Sequence, residues 1–201
     1  MASTSNQAAP LTNRVAVRRM GNDLLGAIGT PPASPLLLDR GNVVQPKYSR
    51  DSQRTKVYEA ENTYMRLIRR RAEFPVLELA GSRVTLLEGL RFGALPQVQD
   101  YVNTVCRNEG ASRITVRAGE RLANRAHYAG GVISLPLAGR DHRWAWREEV
   151  LLHEIAHHLT AGDRHNGRFT SRLVDLFSDY IGPEAGFLLR LLLSDQGATL
   201  S

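Results

Sequence analysis

The stretch HEIAHHLTAGDRHNGRF, His153 to Phe169, carries four of the six histidines of a 201-residue chain, together with a glutamate beside the first of them. The residues before and inside it, EVLLHEIAHHLTAG, fit one helix. With Leu151 set at zero and about 100° per residue, Leu151, Leu152, Ile155, Ala156 and Leu159 fall on one apolar face. His153 and His157 fall on a second face, one turn above each other, because residues four apart on a helix are neighbours. Glu154 lies beside that pair, and His158 flanks the core, where it reads as a structural histidine.

Two imidazoles at this spacing can reach one tetrahedral ion, with zinc–nitrogen bonds of about 2.0–2.1 Å. The pattern is H-E-x-x-H. Neutral imidazoles leave the charge of the ion intact, so it acidifies a bound water, and a neighbouring carboxylate takes the proton as that water attacks a carbonyl. Glu154 is the expected general base. A catalytic zinc needs a third protein ligand and leaves the fourth position open. Gly162 can turn the chain back, and two residues beyond it compete for the third place. His165 is followed by NGRF, which lets Phe169 anchor the turn while His165 faces the ion. Asp163 is the alternative, six residues after His157, and Asp175, Asp179 or Glu184 would supply a more distant carboxylate. The expected ligands are His153, His157 and His165.

The remainder of the chain bounds this reading. An apolar content of 42 % suits a globular protein, and no apolar run approaches the roughly 18 residues of a membrane span. The first residues lack the uninterrupted apolar core of a secretory signal. Cys106 is the single cysteine, which excludes an intrachain disulfide and any multi-cysteine metal site and points to a reducing, cytoplasmic setting. Placed among Val98, Tyr101, Val102 and Val105 on a helix, it reads as a small core residue. The net charge of +6 comes almost wholly from arginine, since Lys47 and Lys56 are the only lysines. Such a balance draws polyanions, so nucleic acid is a second candidate partner beside a protein or peptide substrate. The densest run, RLIRRR at 66–71, also suits a solvated helix face.

Residues 1–49 are rich in proline and small polar residues and read as a flexible tail with one short helix around 15–27. The folded domain is expected over 50–195, and 196–201 as a disordered C-terminus. Within the domain a helix capped by Asp51 or Ser52 ends before Pro75, followed by a short extended piece, RVTLLEGLRF. A second helix spans ALPQVQDYVNTVCRNEG. RITVRA and VISLPLA read as strands, with Gly130-Gly131 as a turn before the latter, and Pro136 marks VISLPLA as an edge strand. Helices around 144–161, 168–181 and 183–193 complete an α+β domain. Glu148 falls on the core face of its helix, where that helix offers no reason for a carboxylate. Tyr128, His127, Arg147 and Tyr180 are candidate donors to a transition-state oxyanion.

WAWREEVLLHEIAHHL, HNGRF and IGPEAGFLLRLLL resemble a family of zinc metallohydrolases of actinobacteria and their phages. RDSQRTKVYEAEN and RFGALPQVQDYV extend the resemblance over roughly residues 50–193. The third-ligand region is also similar to that of SprT-like proteases, whose motif is H-G-x-x-F; here Asn166 stands at the glycine position and Gly167 follows it. The resemblance implies a zincin-like domain, a small mixed sheet whose edge strand lies beside the active helix and pairs with an extended substrate, ligands at His153, His157 and His165, and Glu154 as the base. It implies no substrate. A DNA–protein crosslink protease and a repressor-cleaving protease both suit it, and the rival reading is a DNA-associated binding module with a structural zinc.

Overall fold

A computed structural model describes residues 51–119, 125–136, 142–160 and 164–201. The tail at 1–49, with its expected helix, and Asp163 lie outside the described residues. Residues 51–201 form one compact unit.

The elements follow in the order α1 (Arg54–Arg69), β1 (Val76–Leu79), β2 (Ser82–Thr85), α2 (Leu95–Asn108), β3 (Thr115–Ala118), β4 (His127–Ala129), β5 (Val132–Leu135), α3 (Glu148–Leu159), α4 (Gly167–Leu176) and α5 (Pro183–Asp195). A π-helical turn, Phe177–Ile181, joins α4 to α5. The class is α+β with two small sheets, as expected. Helix α1 buries Val57, Ala60, Tyr64 and Ile68 and packs against α5. Helix α3 buries Leu151, Leu152, Ile155 and Ala156, so the apolar face drawn from the 3.6-residue period is the face that packs. No helix among the described residues is long and apolar enough to cross a membrane.

Two short strands escape a reading of the sequence. β1 pairs with β2 through a two-residue turn, Ala80-Gly81, in which both residues have positive φ (51° and 75°). That geometry matches the twist of a hairpin and normally selects glycine or asparagine, so an alanine hides it. β4 is only three residues long, and it pairs antiparallel with β5 through Gly130-Gly131. The second sheet therefore runs β3-β5-β4, with β3 and β5 parallel.

This order corrects the edge-strand expectation. β5, the VIS-L portion of VISLPLA, is the central strand, and its Ile133, Ser134 and Leu135 are buried. Pro136 follows the strand rather than interrupting it, so it costs no ladder bond. The outer edge of β3 is covered by α2. There the Gln99 side chain donates to the Ile114 carbonyl (2.9 Å) and accepts from the Val116 amide (2.8 Å). The edge strand beside α3 is thus β4.

The expected disordered C-terminus is also corrected. The Thr199 amide donates to Gln53 Oε1, Thr170 Oγ1 donates to the Thr199 carbonyl, and Ser171 Oγ donates to the Ser201 carbonyl (2.6 Å). Ala198 is buried. The end of the chain ties the start of α1 to the first turn of α4.

The carboxylate of Glu148 finds its reason outside its helix. Its Oε2 accepts from the Leu90 amide (2.6 Å), and Glu149 Oε1 accepts from the Gly89 amide (3.0 Å). The two acids satisfy the backbone of the segment that follows β2 and fasten it to the first turn of α3. Gly89 is required there, because a Cβ would meet the Glu148 Cβ at 2.9 Å.

Burial holds the Glu149 carboxyl above the usual carboxylate range. A carboxyl raised on folding favours the folded state only while protonated: that contribution is complete below the unfolded pKa and disappears as pH rises through the folded one. At neutral pH the charge is a cost. Glu149→Gln keeps an acceptor for Gly89 and removes the charge, so it should raise the melting temperature at neutral pH, with the gain vanishing near about pH 4. Thermal melts across that window check it; a lower melting temperature at neutral pH would contradict it.

Candidate metal centre

Helix α3 presents His153 and His157 on one face, and the turn before α4 brings His165 opposite them. Arg164 has φ of 40°, a left-handed conformation uncommon for a side chain of this kind, and His165 follows it. Asn166 then caps α4, its side-chain oxygen accepting from the Arg168 (3.1 Å) and Phe169 (3.2 Å) amides. The residue at the SprT-like glycine position thus acts as a helix cap, and the following Gly167 opens the helix with space for little else, since a Cβ there would meet Ser201.

Phe169 is fully buried, and its ring lies against all three imidazoles, with centroids 5.1 Å from His153, 4.4 Å from His157 and 4.8 Å from His165. It forms an apolar floor that holds the rings at their spacing. One nitrogen from each of the three histidines lies within 4.8 Å of the others, and no other group of ligating side chains gathers among the described residues. Asp175, Asp179 and Glu184 do not join it.

Two carboxylates from the start of the domain orient the rings. Asp51 Oδ2 is 2.7 Å from His165 Nδ1, and Glu61 Oε1 is 2.8 Å from His153 Nδ1. A neutral imidazole has one N–H, and a carboxylate at Nδ1 draws it there. Both Nε2 atoms are then bare lone pairs, yet they face each other at 3.4 Å. Two lone pairs at that distance repel unless a cation or an extra proton lies between them. A tetrahedral ion with metal–nitrogen bonds of about 2.0–2.1 Å places its ligands about 3.3–3.4 Å apart. The donor set fits a divalent metal ion in chemistry and in spacing.

The titration behaviour of His157 and His165 agrees with this. Burial, with neighbouring His153 and His165, pulls the His157 imidazole down to about 3, so its lone pair is available at any physiological pH. Burial also lowers His165, against the hydrogen bond it donates to Asp51. Burial acts downward on His153 too, but the Glu61 carboxylate outweighs it and the net shift is upward.

Glu154 is buried beside these rings without joining the ligand set. Burial raises its carboxyl, while His153 and a hydrogen bond from the backbone of Tyr128 on β4 act in the opposite direction. β4 is in turn fixed to α3 by His158. The Tyr128 hydroxyl accepts from the Gly131 amide (3.0 Å) and so donates to His158 Nδ1 (2.8 Å), which leaves the His158 Nε2–H for the Ser112 carbonyl (3.0 Å). His158 is a structural histidine, as its helix position suggested.

Two cavities meet at Glu154. The larger, about 750 Å³, extends past His153, Glu149 and Trp144; the smaller, about 320 Å³, opens onto His157, His165 and His127. Arg54, Tyr58, Arg125 and Ala126 line both. The Tyr58 ring stacks on His153 (centroids 5.5 Å apart, 15° between planes) and meets His165 edge-on at 5.4 Å. Arg54 lies over the same ring, 5.4 Å from its centroid.

Sequence reasoning found the three histidines and Glu154 but missed Asp51, Glu61, Tyr58 and Arg54. Asp51 looked like a helix cap, but α1 starts at Arg54 after Gln53 and takes no side-chain cap. One signal was available: Arg54, Tyr58 and Glu61 recur at i, i+4 and i+7, a polar stripe along one face of α1. Comparison with protein-family models, curated proteins and solved structures finds no match.

Asp51→Asn and Glu61→Gln should each weaken metal affinity by about 10–100-fold, because the amide no longer fixes the ring tautomer. Competition against a zinc-chelating dye checks this; unchanged affinity in both variants would count against the orienting role. Phe169→Ala should cost about 3–5 kcal/mol of stability by removing a fully buried ring, read from denaturant unfolding.

Proposed function

We propose that the chain is a zinc-dependent hydrolase of the zincin kind, most simply a peptidase, with His153, His157 and His165 as ligands and Glu154 as general base. One observation carries this reading: a buried carboxylate stands beside three converging imidazoles without joining them, at the meeting point of two cavities. A carboxylate is costly to bury, and one placed beside a metal site in a cleft is a candidate proton carrier. A bound zinc supplies Lewis-acid chemistry, acidifying a water and polarising a carbonyl.

The residues of the chain do the rest. Glu154 accepts the proton of a water held in the cleft and returns it to the departing amine. Its burial favours the protonated form, which helps the second transfer. β4 borders the cleft and is an edge strand of its sheet among the described residues, the feature by which extended peptides are commonly bound. The resemblance over residues 50–193 supports the same class.

Glu154→Gln should retain zinc and lose about 10²–10⁴-fold in turnover of a fluorescently labelled unfolded casein. Metal content by mass spectrometry and initial rates check the two halves. Full activity in that variant would exclude the mechanism. A silent Glu154→Gln in a protein that unfolds on chelation would favour a binding module with a structural zinc. Metal content of His165→Ala and Asp163→Ala identifies the third ligand directly.

A further inference from the structure

Hydrolysis of an amide puts negative charge on the carbonyl oxygen, and a donor fixed at that point lowers the barrier. Of the four donors expected from the sequence, two hydroxyls are engaged elsewhere: Tyr128 donates to His158 and Tyr180 donates to Glu109 (2.9 Å). Arg147 is ion-paired with Glu88 (3.6 Å) and lines the larger cavity but not the smaller one beside His157 and His165. His127 lines the smaller cavity, on the exposed face of β4.

A tyrosine that the sequence did not single out is better placed. Tyr58 lines both cavities with Glu154, and its ring rests against two of the three imidazoles. It is 39 % exposed although the ring packs on the site. Arginine only donates, so the Arg54 guanidinium over the ring does not compete for the hydroxyl proton.

Resting on the hydrolase reading above, we propose that Tyr58 is a catalytic residue whose hydroxyl donates a hydrogen bond to the developing oxyanion of the scissile carbonyl. In the step it assists, a water oxygen bonds to the carbonyl carbon, the π pair moves onto the carbonyl oxygen, and the proton of the water goes to Glu154. The proton then passes to the amide nitrogen as the C–N bond breaks and the π bond re-forms. Tyr58 keeps its own proton throughout and only shortens its hydrogen bond as charge develops.

Tyr58→Phe isolates the hydroxyl, because the ring that packs on His153 and His165 remains. In the full-length, zinc-loaded protein, kcat on labelled unfolded casein should fall about 10²-fold with KM and zinc stoichiometry unchanged. A readout independent of turnover is the affinity for inorganic phosphate, a tetrahedral oxyanion, measured by calorimetric titration. It should weaken about tenfold in Tyr58→Phe and stay at the wild-type value in His127→Gln. Wild-type kcat and phosphate affinity in Tyr58→Phe, with Glu154→Gln inactive, would overturn the role of Tyr58 and leave the hydrolase intact. A loss confined to His127→Gln would also overturn it. Active Glu154→Gln would remove the hydrolase itself.

Discussion

Two carboxylate–imidazole hydrogen bonds, Asp51 to His165 and Glu61 to His153, hold the centre together. Each turns an imidazole so that its other nitrogen faces inward, and each reaches from the start of the domain to a residue about a hundred positions later. Without them the histidines of α3 and of the following turn could adopt either ring tautomer and several rotamers. With them, two bare nitrogens are brought to 3.4 Å, a distance that a cation relieves. The energetic cost of that arrangement is met by the fold: Phe169 fills the space beneath the rings, and the C-terminal residues pin α4 to the start of α1.

Several polar groups that look out of place on their own helices are explained by this long-range fastening. Glu148 and Glu149 occupy buried positions at the first turn of α3 because the backbone of the segment after β2 needs acceptors there. Gln99 closes the open edge of β3, and His158 ties β4 to α3. The Gly89 amide that Glu149 satisfies is buried, and leaving it without a partner would cost of the order of 1–3 kcal/mol. The combined effect is directional. One sheet edge is covered, and the other, β4, is left beside Glu154.

That asymmetry organises the cleft. Residues of β4, of α1 (Arg54 and Tyr58 among them) and of the ligand face of α3 line it together.

Within the sequence, the period of the apolar residues placed α3 and its two faces, and the spacing of His153, Glu154 and His157 assigned their separate roles. Those properties are local: one turn of helix sets them, whatever surrounds it. HNGRF was legible for the same reason, since Phe169 needs burial and His165 precedes it by one turn. The strand order was not legible. Three-residue β4 carries too little pattern, and Pro136 suggests an edge whether it interrupts a strand or follows one. Nor could Asp51 be distinguished from a helix cap, because a carboxylate near a helix start serves either purpose. Which carboxylate meets which imidazole, which strand is exposed, and which tyrosine stands over the site depend on contacts between residues far apart in the chain. Only the packed tertiary structure brings them within hydrogen-bonding distance.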